Sequence, residues 1–281
     1  MFVHVNKLTV LDVSNNTKLS WLYAYDNQLS SLSLTGKASL DRLYVWKNEL
    51  TSLDISTNTA LNRVYAGENK INSIDLSNNI NLDKVGFWNQ KSGFKLTSID
   101  VSNLTKLTYL SIEKNDFTTV NVSNNPLLTH LYVGESSKIT SVDVSSNVEL
   151  LELGVDGTSI NSIDVTKNTK LTHLYLSDAN VSSLDISNNL ALKLLFLRNN
   201  KLTSIDVSHL SELETLTTEG NPLNSLDVSN NPNLKTYYGS NLTGSLTSID
   251  FSNNPNLQTI HVNGSNLQVL NLKNGANGTI T

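Results

Sequence analysis

From Leu19 onward the chain repeats one arrangement: apolar residues at relative positions 0, 3 and 5, then a small polar residue at position 8. LSWLYAYDNQL from Leu19 to Leu29, LDRLYVWKNEL from Leu40 to Leu50 and LKLLFLRNNKL from Leu192 to Leu202 carry it in one half of a unit. LTSLDISTN at 50, INSIDLSNN at 71 and LNSLDVSNN at 223 carry it in the other half. The last two apolar positions of each half alternate about one outward position, as in a short strand with one buried face. The polar residue beyond them suits a turn.

The Asp of the second half, or its replacement, marks the phase. It falls at Asp12, Ser33, Asp54, Asp75, Asp100, Asn121, Asp143, Asp164, Asp185, Asp206, Asp227, Asp250 and Asn271. The step is 21 residues except for 25 after Asp75, 22 after Asn121 and 23 after Asp227. A period kept along the chain predicts one solenoid domain over 1–281, with about 12 to 13 coils. Twenty-one residues are too few for a strand, two turns and a helix of about 10 residues or more. The second half is therefore expected to be extended as well, in a mostly β fold with little or no helix.

Register assigns the remaining strand positions. With Leu22 and Ala24 inward, Trp21, Tyr23 and Tyr25 point outward from the first strand. The same outward positions hold Arg42, Tyr44 and Trp46, Arg63 and Tyr65, Trp88, Tyr109, Tyr132, Tyr175, Phe196, Arg198 and Tyr238. Three Trp, nine Tyr and six Phe make 18 aromatics, and 12 of them fall on these outward positions. Aromatics suit exposed strand positions in general, but the outward positions of the second half repeat Ser, Thr and Asp instead. The concentration on one face therefore predicts an interaction surface. Arg42, Lys47, Arg63 and Lys84 make its first third basic, and Glu113, Glu135, Glu152, Asp156 and Asp178 make its middle acidic. Three loops depart from the period, around 86–98, 134–141 and 239–248, all on one edge of the solenoid, as binding edges of repeat proteins do.

Two polar rows accompany the apolar one. Asn27, Asn48, Asn69, Asn115, Asn200 and Asn221 are placed to bond the backbone groups that a turn leaves unpaired, in a ladder interrupted at Ser136, Thr158, Ala179 and Ser265. The Asp row, each aspartate followed two residues later by Ser or Thr, reads as a turn device in preference to a calcium site. No metal or cofactor is implied.

Composition removes several function classes. Net charge is −5 with both signs interspersed, so no basic field is present to hold nucleic acid. Zero cysteines exclude a disulfide framework and a thiol nucleophile. No stretch approaches the roughly 20 apolar residues of a membrane-spanning helix, and MFVHVNKLTV does not read as a signal peptide. His4, His130, His173, His209 and His261 are scattered, with no H-E-x-x-H, G-x-S-x-G or phosphate loop. The chain reads as a non-enzyme.

L-x-x-L-x-L-x-x-N-x-L, as written in Leu19–Leu29, resembles the signature segment of leucine-rich repeats, and the match runs along essentially all of the chain. The 21-residue unit most resembles the short bacterial repeats of internalin J-type and Bacteroidetes surface proteins. Internalin J-type repeats carry a cysteine ladder at the sixth motif position, which here holds Ala24, Val45, Ala66, Phe87, Ile112, Val133, Val155, Leu176 and Leu197. The resemblance implies a right-handed horseshoe with parallel strands on its concave face and extended convex segments. It also implies a bacterial protein, secreted or on the cell surface, that binds an extracellular protein through the aromatic face as an adhesin or receptor-binding domain. Glycan binding is the second class, since Trp and Tyr faces stack on sugars while carboxylates take hydroxyls. A monomer is favoured. NLKNGANGT at 271–279 resembles the point at which Bacteroidetes surface proteins leave their repeats, so the chain reads as a fragment of a longer protein.

Overall fold

A computed structural model describes residues 1–275; the end of the NLKNGANGT segment, from residue 276, lies outside the described residues. The chain divides into two compact units, Met1–Val142 and Asp143–Thr281.

In the first unit six three-residue strands follow one another at the repeat period: β1 Trp21–Tyr23, β2 Arg42–Tyr44, β3 Arg63–Tyr65, β4 Lys84–Gly86, β5 Tyr109–Ser111 and β6 His130–Tyr132. Each pairs in parallel with the next, so that Leu22, Leu43, Val64, Val85, Leu110 and Leu131 stack in one row. These residues are fully buried. The strands stay short because the chain must leave the sheet to close each coil, so each three-residue strand carries one inward residue, its middle one. Phe2 bridges to Tyr23 and extends the pairing towards the amino terminus.

The second unit repeats the arrangement in β7 Glu152–Gly154, β8 His173–Tyr175, β9 Leu194–Phe196, β10 Thr215–Thr217, β11 Thr236–Tyr238, β12 Ser248–Asp250, β13 Thr259–His261 and β14 Val269–Asn271. Strands β7 to β11 and then β13 pair in parallel along one sheet. β12 and β14 pair with each other instead and belong to the second halves of their coils. Among the described residues no other second half forms a ladder, and none forms a helix. The fold is the mostly β, helix-free solenoid that the period predicts.

Side chains close each coil. The Oδ1 of every member of the Asp row except Ser33, including Asn121 and Asn271, accepts the N–H two residues later; Ser56 N lies 3.0 Å from Asp54 and Ser102 N lies 2.9 Å from Asp100. These bonds to N–H and hydroxyl groups hold the carboxyls of Asp12, Asp54, Asp75, Asp100 and their successors below the ordinary carboxylate range. The row is a turn device, as its spacing suggested.

The ladder asparagines are buried between coils. Asn48 donates to Ala24 O and Val45 O at 3.0 and 3.1 Å and accepts from Leu29 N at 3.0 Å. Asn69 repeats the set one coil later on Val45, Ala66 and Leu50. Gln90 fills the slot in the fourth coil, accepting from Ile71 N and donating to Ala66 O. A second buried row, Asn58, Asn79, Asn168, Asn189, Asn231 and Asn254, donates to carbonyls of the preceding coil, as Asn79 does to Ile55 O and Asn58 O at 3.0 Å. Lys37 stands in that row, 1% exposed, with its ammonium on Ser14 O and Thr35 O at 3.1 Å. Buried polar groups in a coil this thin stabilise it only when paired. The first row pairs both ends of amides such as Asn48 and Asn69. In the second row the amide N–H groups are paired, whereas the Oδ1 atoms of Asn58, Asn79, Asn168, Asn189, Asn231 and Asn254 are buried without a hydrogen-bond partner among the described residues.

The residue before each ladder position takes a left-handed conformation. Asp26, Lys47, Glu68, Asn89, Lys114, Glu135, Asp178, Asn199 and Asn241 have φ between 49° and 59°, and Gly157, Gly220 and Gly264 occupy the same place elsewhere. One inward position is aromatic and polar: Tyr237, fully buried, bonds Thr218 through its hydroxyl at 2.9 Å, and burial pushes that hydroxyl up to about 12. A Cβ on Gly239 would meet the Tyr237 oxygen at 2.2 Å, so this glycine makes the room.

Candidate binding face

In the first unit the outward strand positions form three columns, each with its own chemistry. The column at the ends of the strands carries Phe2, Tyr23, Tyr44 and Tyr65, with ring centroids 4.6, 4.4 and 5.0 Å apart. Gly86 interrupts it, and Tyr65 reaches Tyr109 edge-on at 6.0 Å, which in turn meets Tyr132 at 5.8 Å. The column beyond the strands carries His4, Tyr25 and Trp46, stacked face to face at 4.5 and 4.4 Å with planes within 8°, and then Trp88, 6.5 Å from Trp46.

Trp88 lies flat where two glycines leave space. A Cβ on Gly67 would fall 2.5 Å from two atoms of its indole, and a Cβ on Gly86 would fall 2.6 Å from a third. Contacts to both atoms of the ring-fusion bond place that Cβ over the ring face, so the indole covers the backbone of the preceding coil.

The column at the start of the strands is cationic between aromatic ends. The Arg42 guanidinium sits 4.7 Å from the Trp21 ring, and the Lys84 ammonium 5.9 Å from the Tyr109 ring. Bonding to the Tyr23 hydroxyl, with Asp41 alongside, holds Arg42 above its ordinary range. Burial works against the charge of Arg63, and the Tyr44 hydroxyl and Asp83 outweigh it. Trp21 donates its indole N–H to Asp41 at 3.1 Å and remains 41% exposed. Burial between neighbouring rings raises the Tyr65 hydroxyl well above the usual phenol range, and Tyr109 and Tyr44 add to it.

These contacts revise the charge map drawn from sequence. Arg42 pairs with Asp41 at 3.3 Å, Lys47 with Asp26 at 3.0 Å and Arg63 with Asp83 at 3.4 Å. The basic first third is thus largely neutralised by carboxylates from neighbouring slots. The stacked rings are half-buried against one another, so less apolar surface is open than a row of independent aromatics would give.

The longest of the three extra loops is tied down at several points. Lys91 bonds Glu49 through its side chain and Asn69 O through its N–H at 2.7 Å, and Lys95 reaches Lys114 O at 2.6 Å.

In the second unit Tyr175 and Phe196 stack at 5.3 Å with planes 13° apart, and Tyr238 meets His261 edge-on at 4.8 Å. Between Phe196 and Tyr238 the column holds Thr217, which is buried. Arg198 bonds Asp178 at 2.8 Å. Together these groups line a concavity of about 470 Å³ that also takes in Asp156 and Glu219. His173 lies 3.8 Å from Glu152 and 2.8 Å from the Thr172 hydroxyl.

All thirteen residues expected at a binding face stand on outward positions of the strands or just beyond them, nine of them within the first unit's columns to Trp88. Sequence reasoning passed over Phe2 and His4, which the 21-residue step places under Tyr23 and Tyr25, and over Gly67 and Gly86, whose signal was a missing side chain beside a tryptophan. Among the described residues no group of three or more His, Asp or Glu side chains converges as a metal site, and no helix is long and apolar enough to cross a membrane.

The parallel rows and asparagine ladders are those of a leucine-rich-repeat solenoid, a class whose extended concave surfaces serve binding. Solved structures agree. The functional domain of InlJ from Listeria monocytogenes, which includes a cysteine ladder, is similar at a TM-score of 0.82 and 32% identity, covering 88% of this chain and 54% of that one. The internalin InlF from Listeria monocytogenes str. 4b F2365 gives a TM-score of 0.82 at 20% identity over 96% of this chain and 85% of its own. A leucine-rich-repeat protein of Leptospira interrogans gives 0.78 at 20% identity over 97% and 83%. The chain spans about half the length of the InlJ structure. No protein-family model and no curated protein matches the chain.

Proposed function

We propose that the chain is a non-catalytic binding module of a secreted or surface-displayed bacterial protein, and that it grips an extracellular protein with the ring columns of its first unit. The observation that carries this reading is the pair of continuous columns, Phe2–Tyr23–Tyr44–Tyr65 and His4–Tyr25–Trp46, set beside Arg42 and Arg63. Tyr, Trp and Arg are the residue types that dominate protein-binding hot spots. Stacking fixes their rotamers in advance and lowers the entropy lost on association. It also covers both ring faces of Tyr25 and one face of Trp46, which a sugar would need. Likeness to InlJ supports the same reading.

Immobilised wild-type chain and a Tyr44→Ala, Trp46→Ala, Tyr65→Ala variant are to be exposed side by side to solubilised surface proteins of other cells. Selective capture by the wild type, lost in a variant with unchanged circular dichroism, is the expected result; equal capture by both refutes the reading.

Trp88 favours a glycan as the second reading, because its indole rests on Gly67 and is only half-buried. A saturable fluorescence change with one oligosaccharide class, abolished in Trp88→Ala, would move the assignment to glycans.

A further inference from the structure

The cations at the start of the first unit's strands share a pattern, and one of them breaks it. Arg42 bonds the Tyr23 hydroxyl and Arg63 bonds the Tyr44 hydroxyl, each on the coil before its own. Carboxylates just ahead of the strands complete the set: Asp41 pairs with Arg42, and Asp83 reaches one coil back to Arg63. Lys84 is the next cation in the row and is half-buried. The place from which the following coil could serve it, as Asp83 serves Arg63, holds Thr108, whose hydroxyl is committed to Asp83 O at 3.1 Å. Among the described residues Lys84 pairs with no carboxylate, and its ammonium has the Tyr109 ring alone, 5.9 Å from the centroid.

The hydroxyl series stops at the same point. Tyr65, which follows Tyr23 and Tyr44, makes no side-chain hydrogen bond among the described residues and leans edge-on against the same Tyr109 ring at 6.0 Å. Burial holds its hydroxyl well above the usual phenol range, so at neutral pH it keeps its proton and can donate it. Lys84 and Tyr65 are thus two donors beside one ring, in a row whose other cations have both a hydroxyl and a carboxylate. A cation that has lost part of its water without gaining a counter-charge gains most from one that arrives, and a carboxylate can accept from two donors at once.

We propose that Lys84 and Tyr65 receive the carboxylate of an aspartate or glutamate side chain on the protein that the ring columns grip. The assignment deepens that reading and rests on it for the nature of the partner: the columns supply ring contact, and Lys84 sets the charge that the partner presents beside them.

NMR titration of the full chain at low ionic strength, where such a contact is least screened, tests the assignment. The probes are acetylated, amidated Gly-Glu-Gly and Gly-Asp-Gly, with Gly-Gln-Gly, Gly-Lys-Gly and inorganic phosphate as comparisons. Saturable shifts of the Lys84 and Gly86 amides are expected with an acidic peptide, at least about tenfold weaker with glutamine and absent with lysine. Lys84→Gln should weaken acidic-peptide binding at least about tenfold and Tyr65→Phe about threefold, while Lys84→Arg should retain it. Thr108→Asp should supply the missing carboxylate from within the chain and compete the peptide away, with unchanged circular dichroism. Equal response to glutamine or to phosphate, undiminished binding in Lys84→Gln, or no saturable shift with either acidic peptide overturns the assignment. Any of these beside selective protein capture by the wild type leaves the ring-column reading standing; Lys84-dependent shifts beside equal capture by wild type and ring-column variant sink that reading and uphold the carboxylate site.

Discussion

The indole of Trp88 occupies the space in which any residue but glycine at position 67 would place its Cβ, 2.5 Å from two ring atoms. The two residues lie in the same column, one coil apart, so the ring lies flat across the sheet instead of standing out from it. Gly67→Ala should lift the indole into solvent while leaving every inward residue in place. The expected outcome is a red-shifted tryptophan emission with unchanged far-ultraviolet circular dichroism; an unshifted spectrum would mean that the ring does not rest there.

The asparagine ladder offers a paired test. Asn69→Ala strands the buried Leu50 N–H and removes a donor from three carbonyls. Unpaired buried groups of this kind cost about 1–3 kcal/mol each, so a loss of about 3 kcal/mol in urea denaturation is expected. Ala179 already breaks the row and is buried. Ala179→Asn should rejoin it and gain about 1 kcal/mol. Destabilisation by that second change would show that the coil there cannot seat the side chain.

Acid should weaken the fold through the turn row. The folded carboxyls of Asp54, Asp75 and Asp100 lie below the ordinary value of 3.8, so the unfolded chain binds more protons on descending through that region, and stability falls with pH. Their contribution is fully present above about pH 5 and lost progressively below about pH 4. Asn121 holds the same turn without a charge, accepting from Ser123 N at 3.1 Å. Replacing the three aspartates with asparagine should therefore keep the fold at neutral pH and flatten the acid limb of a urea-midpoint profile. An unchanged acid limb would place the acid sensitivity elsewhere.

Gly239→Ala should be among the most damaging single substitutions in the second unit. Its Cβ would press on the Tyr237 hydroxyl, which is locked in the core by Thr218. Overpacking of this kind costs about 1–3 kcal/mol, and removing the hydroxyl as well, in Gly239→Ala with Tyr237→Phe, should recover part of it. Failure of the double variant to recover any stability would place the strain in the backbone.

The repeat made most of this architecture readable before any coordinates. Leu22 and Ala24 are inward and fully buried, as the alternation required, because the period of a strand and the length of a coil leave one register that buries the mid-strand leucines from Leu22 to Leu216. Ring orientation was not readable. Whether Tyr25 stacks on Trp46 or crosses it depends on side-chain torsions set by neighbours 21 residues away, which spacing does not encode. The charge map failed for a related reason: Asp41 and Asp83 flank the strands, outside the slots that were compared; Asp41 pairs with its chain neighbour Arg42, and Asp83 reaches one coil back to Arg63. The second asparagine row was visible as a repeated polar slot, and only the coordinates put it inside.

The left-handed residues carry a further consequence. In the first unit they run Asp26, Lys47, Glu68, Asn89, Lys114, Glu135, with Lys47 on Asp26 at 3.0 Å and Lys114 on Glu135 at 2.9 Å. Excising residues 27 to 47 would remove one whole coil and keep the leucine spacing intact on both sides of the junction. It would also set Asp26 beside Glu68, like charges at strand spacing. The coils are interchangeable in their cores but numbered along this edge, so the copy number of the array is not free to drift by one without a local electrostatic cost.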